Sequence, residues 1–137
     1  MVLAISISAQ TLTGMWGTLS MVRYDREFNE DWGIDMQVPV VSPIVKQLEG
    51  TEIEVRGYLI PLDAKKESAH VMLSAYPVSN CFFCGKAGPE TAAQAFIKDG
   101  KKIPHTDDKV IMRGTLRINE KDMNSLLYTL EDAVLVE

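Results

Sequence analysis

Apolar and polar residues alternate along several stretches of the chain, with the period of half-buried strands. Ile34, Met36, Val38 and Val40 recur at every second position. They follow turn chemistry in Asn29-Glu30-Asp31 and Gly33. Val22, Tyr24 and Phe28 share a weaker face of the same kind, interrupted at Arg26. Together these runs predict a hairpin, and Pro39 places its second strand at a sheet edge. In residues 51–62, Ile53 and Val55 alternate against Glu52, Glu54 and Arg56, and Gly57 marks a bulge or sharp bend. Further strands are predicted over 70–76, over 109–118 with a break at Gly114, and as two short pieces over 126–130 and 133–136.

Three stretches carry helical signals instead. Trp16 and Leu19 stand at helical spacing and predict an N-terminal helix over 13–20, with Thr13 as its cap. Ser42-Pro43 opens a short helix that Gly50 stops. Pro89-Glu90-Thr91 begins a third helix, running to about Lys98 and ended by Asp99-Gly100. The sum is a mainly β fold: a small, OB-like, mostly antiparallel barrel of about five or six strands, with a helix inserted between its middle strands and another at the N-terminus.

Composition narrows the class. The chain has 137 residues, of which 46% are apolar and 24% charged. That is one globular domain, large enough to bury roughly two-thirds of its unfolded surface without a metal or disulfide as a staple. The net charge is −5, which argues against nucleic acid and anionic lipid as partners, since phosphate affinity comes mainly from Lys and Arg. No apolar run is long enough to cross a membrane. Residues 1–9 end in V-L-A-I-S-I-S-A and read as the remnant of a secretory signal, with residues 10–137 as the domain. A positively charged start is missing, because the first basic residue is Arg23. The expected location is the periplasm or another exported compartment.

Chemistry concentrates in one loop. Both cysteines, Cys81 and Cys84, stand together as Cys-Phe-Phe-Cys. That spacing lets two sulfurs reach one metal ion or each other. A closed zinc site takes four ligands, and His70 and His105 are the candidates for the other two. Cysteine with Met72 would instead suit monovalent copper. Against these stand plainer readings: histidines at exposed or hydrogen-bonded positions, and Met72 as a core residue of its strand. In an oxidising compartment the pair would close as a disulfide, which over so short a loop gains little from chain entropy. A thiol-exchange or metal-carrier role for Cys81 and Cys84 is the alternative, although the β-α-β pattern of thioredoxin-like enzymes is missing. Phe82 and Phe83 either contact a partner or ligand or pack under the helix expected at Ala92, Ala95 and Phe96.

Several of these segments resemble a known family. Gly57-Tyr58-Leu59-Ile60-Pro61-Leu62, the strand running into Ser79-Asn80-Cys81-Phe82-Phe83-Cys84-Gly85, and Ala87-Gly88-Pro89-Glu90 are similar to a family of exported bacterial proteins described only as a domain of unknown function. The Trp16 segment and the closing G-T-L-R-I…L-Y-T-L-E-D-A pattern extend the likeness over most of the chain. The resemblance implies an OB-like fold and export, and brings no activity with it. Another branch of that family has one cysteine, a nearby histidine and a proline run in this loop, where the present chain has Cys84 and a glycine-rich approach to Pro89.

Phosphate loops, dinucleotide fingerprints, zinc-protease helices and nucleophile elbows are all missing from the sequence. Asp107-Asp108 and Glu30-Asp31 read as solvated turns, and Lys65-Lys66 and Lys101-Lys102 are too small for a nucleic-acid footprint. The chain therefore reads as a binding or accessory domain for a protein or small ligand, rather than as an enzyme. Single-stranded nucleic acid on the barrel is the remaining alternative.

Overall fold

The computed structural model describes residues 14–60, 67–77, 88–120 and 126–136. Its elements in chain order are α1 (Gly14–Leu19), β1 (Val22–Asn29), β2 (Ile34–Val41), α2 (Pro43–Lys46), β3 (Glu52–Ile60), β4 (Glu67–Ser68), β5 (His70–Ser74), β6 (Ala92–Ile97), β7 (Ile103–Pro104), β8 (Lys109–Ile118) and β9 (Tyr128–Leu135). Five strands close into a barrel in the order β3-β5-β6-β9-β8, with β8 returning to β3. Four of its pairings are antiparallel and one, β6 with β9, is parallel. The fold is thus mainly β around a mixed barrel, with two short helices.

Alternation builds the barrel wall. On β3, Ile53, Val55 and Leu59 point inward while Glu52, Glu54 and Arg56 stay in solvent. Gly57 sits where β3, already paired with β8, also meets β5. A Cβ at Gly57 would lie 2.5 Å from the Ser74 carbonyl oxygen, so only glycine permits this approach. The expected bend therefore coincides with a real requirement for closeness.

The C-terminal pattern resolves differently from its expectation. Residues 128–135 form one strand rather than two pieces. Between Arg113↔Val134 and Thr115↔Glu131, β8 advances two residues while β9 advances three. The same extra residue appears against β6, between Ala95↔Leu130 and Ile97↔Ala133. Asp132, at φ 50°, is the left-handed residue of this bulge. Gly114 lies opposite, where a Cβ would come within 3.1 Å of the Glu131 carbonyl. It does not break β8.

The expected inserted helix is corrected outright. After a single 3₁₀ turn at Pro89–Thr91, residues 92–97 are strand β6. Alanine-rich A-A-Q-A-F-I has good helical propensity. The wall, however, needs a strand between β5 and β9, and tertiary context overrides a weak local preference. Ala93, Ala95 and Ile97 face the core, all at most 6% exposed, while Phe96 faces outward. Asp99-Gly100 does end the element, as a turn with both residues at positive φ.

The N-terminal elements complete the core. Trp16 and Leu19 of α1 and Val45 of α2 join the cluster inside the barrel. Trp16 Nε1 donates to the Arg56 carbonyl at 2.8 Å, and the Tyr128 hydroxyl donates to the Leu19 carbonyl at 2.6 Å. α2 begins as expected, with Ser42 Oγ accepting from the Val45 N–H and Pro43 in the first turn. The expected hairpin is β1 with β2, which form a separate two-stranded sheet. Its turn is held by Asn29 Oδ1 accepting from the Trp32 N–H at 3.0 Å, with Gly33 at φ +66°. Thr13 lies outside the described residues, and so do residues 1–9.

Candidate functional site

The cysteine segment joins β5 to the 3₁₀ turn before β6, and the described residues on either side of it are firmly tied. Leaving β5, the Ala75 N–H donates to the Thr91 carbonyl at 2.9 Å, and the Tyr76 N–H donates to Ser74 Oγ at 3.1 Å. On the return side, the Thr91 hydroxyl and N–H both donate to the Gly88 carbonyl, at 2.6 and 3.1 Å. The Tyr24 hydroxyl of the hairpin donates to the Glu90 carboxylate. Burial, and then that bond to Glu90, push the Tyr24 hydroxyl well above its ordinary pKa. Cys81, Phe82, Phe83 and Cys84 themselves lie outside the described residues.

Both candidate histidines are placed. His70 opens β5 opposite Phe96 of β6, and the two rings stack with centroids 4.2 Å apart and planes 11° from parallel. His70 Nε2 lies 3.0 Å from Gln94 Oε1, while Gln94 Nε2 donates to Thr129 Oγ1 at 3.0 Å. Because the Gln94 amide gives its hydrogen to Thr129, its oxygen faces the imidazole, which donates in return. His105 Nε2 instead lies 3.1 Å from Asp107 Oδ1 in an exposed turn. Ser68 pairs with Ile103 and Glu67 with Pro104, so the chain runs from this ladder to His70 in one direction and to His105 in the other. The structure does not bring the two histidines together. Among the described residues, no group of three or more His, Cys, Asp or Glu side chains is arranged to hold a metal ion. Met72 is buried with Ile60 and Ala92 in a small second apolar cluster, in keeping with a packing role.

What sequence reasoning missed is the surface that His70 belongs to. Phe96, 43% exposed, Gln94 and Thr129 form with it a band across β5, β6 and β9. The signal was present: in A-A-Q-A-F-I the polar and aromatic residues stand at every second position, which a strand resolves and a helix hides.

The adjoining strand β8 differs in chemistry. There Arg113 bonds Glu54 at 2.8 Å between β8 and β3, and Arg117 bonds Glu131 at 2.9 Å between β8 and β9. Such exposed pairs are worth little to stability, but they make that strand a self-neutralised charged surface. The barrel wall thus carries a band of paired charges along β8 and, across β9 from it, the aromatic and amide band of β5 and β6.

These features define the class as a small closed β-barrel domain with an aromatic outer band and a tied loop stem. No family model, curated protein or solved structure matches the chain.

Proposed function

We propose that this chain is an exported binding or accessory domain on an OB-like barrel, which engages a protein or small ligand at the outer face of β5 and β6. The observation that carries this reading is the His70–Phe96 stack, continued by Gln94 and Thr129 on the outer wall, at the end of the β5–β6 ladder opposite the Ser74–Ala92 pair where the cysteine loop leaves. Two supports come from the barrel as a whole. Its first three strands follow in sequence and its last two exchange places, with the third parallel to the fifth, the arrangement of an OB barrel. In such barrels the second and third strands form the ligand-binding face, and here those strands are β5 and β6.

In this reading Cys81 and Cys84 shape the loop that joins β5 to β6, as a disulfide or as two ligands of zinc or copper. His70 and His105 are the candidate further ligands. A disulfide accords with export, since such bonds persist in oxidising compartments. Membership of the exported bacterial family named above belongs to the same proposal. Single-stranded nucleic acid is disfavoured by the net charge of −5.

Native mass spectrometry of the isolated protein, repeated after alkylation under denaturing conditions, tests the loop. Retained metal with two alkylatable thiols identifies a metal site. A mass short of one hydrogen pair, with no alkylation, identifies the disulfide. Two free thiols without metal would overturn the assignment of the loop.

A further inference from the structure

The hairpin is a second surface, independent of the binding face. β1 and β2 pair only with each other among the described residues, and an isolated two-stranded sheet is marginal in water. Its backbone polarity can be assigned. The Ser42 N–H donates to the Met21 carbonyl at 2.9 Å, so Met21 and Ser42 occupy a bonded position of the ladder. Antiparallel alternation then turns the backbone groups of Ile34, Met36, Val38 and Val40 inward to β1, and those of Asp35, Gln37, Pro39 and Val41 to the outer edge. The Val41 N–H is taken by Glu120 Oε2 at 3.0 Å, and Pro39 has none. Asp35 and Gln37 supply the donors of that edge.

The side chains of β2 are as one-sided as its backbone. Ile34, Met36, Val38 and Val40 line one face, with Ile34 51% exposed, and Asp35 is the sole charged residue of the strand. Natural edges are usually blunted by charge. β1 carries four charged residues, Arg23, Asp25, Arg26 and Glu27, whereas β2 carries only Asp35 and the donor-free Pro39.

We propose that β2 is a self-pairing edge, by which two copies of this chain join antiparallel about a two-fold axis at Gln37 into one four-stranded sheet. An axis perpendicular to the sheet keeps each residue opposite one from the same face. Centred on Gln37, Met36 meets the partner's Val38, Ile34 meets the partner's Val40, and Asp35 meets the partner's Pro39. The two aliphatic rows become neighbours, and the one carboxylate faces no like charge. The two Gln37 N–H groups donate to each other's carbonyls, and each Asp35 N–H donates to the partner's Pro39 carbonyl, which needs no donor from the proline.

Sedimentation velocity of the full chain across the micromolar range tests the proposal. The expected result is a concentration-dependent dimer that Gln37→Pro weakens by about 30-fold or more, since both central hydrogen bonds are lost. The Gln37 N–H faces away from β1, so this variant keeps the hairpin ladder. Met36→Lys, which leaves every backbone donor in place, weakens association likewise by setting a charge against the partner's Val38. Far-UV circular dichroism should be unchanged in both, and if Gln37→Pro misfolds, Met36→Lys decides. A chain that stays monomeric throughout, or a dimer that survives these substitutions, overturns the proposal.

Discussion

Tyr128 shows how much one side chain can carry here. It is fully buried on β9, and its hydroxyl donates to the carbonyl that ends α1. Phenylalanine keeps the ring but strands the Leu19 carbonyl, so Tyr128→Phe should cost about 1–2 kcal/mol in urea denaturation. Burial, and secondarily the charges of Glu90 and Glu120, raise the Tyr128 pKa above its ordinary value. A raised folded pKa means that the folded state holds its proton after the unfolded state has lost it. The stabilisation is therefore complete below pH about 10 and is lost as pH rises above it. Tyr128→Phe should show a shallower loss of stability in that alkaline range. Gly57 carries a steric counterpart: Gly57→Ala pushes a methyl against the Ser74 carbonyl and should cost about 2 kcal/mol or more, whereas Gly114→Ala, with 3.1 Å of room, should cost less. Thermal melts of the two variants check the order.

At the scale of elements, β6 is where local sequence and structure part. Its outer residues make a testable unit, because the Phe96 ring lies flat on His70. Phe96→Ala removes an exposed ring and should change stability by no more than about 0.5 kcal/mol. It should also move the His70 ring protons downfield in the NMR spectrum, as the shielding of the stacked ring is lost. Unmoved resonances would mean that the stack does not persist in solution. Elements with an apolar residue at every second position were legible: β2, β3 and β8 each appear where Ile34–Val40, Ile53–Val55 and Val110–Leu116 place them. So was the Ser42-Pro43 start of α2, because a cap works through its own neighbours. β6 was not, since alanine suits a helix locally and only the gap between β5 and β9 makes it a strand. The bulge at Asp132 was equally hidden, being a mismatch among three strands rather than a property of one. The candidate site was legible to the same depth. His70 was singled out, but its aromatic and amide neighbours depend on the strand that the sequence disguised.

At the scale of the molecule, the two tryptophans report on its two parts. Trp16 is 5% exposed within the barrel core and bonded through Nε1 to Arg56, while Trp32 is 60% exposed at the hairpin turn. α1 thus belongs to the barrel's core although it precedes the hairpin in sequence. Burial of Trp16 and Leu19, with the bonds to Arg56 and from Tyr128, ties its unfolding to that of the wall. Trp32→Phe should leave a blue-shifted emission that acrylamide quenches weakly. That signal should be lost in one transition with the far-UV signal of the strands, as a two-state domain requires. Trp16→Phe should leave a red-shifted, readily quenched emission that changes little as the barrel melts. If the Trp16 signal disappeared at lower denaturant than the strands, α1 would be a separately opening segment, and the barrel would hold its core without it.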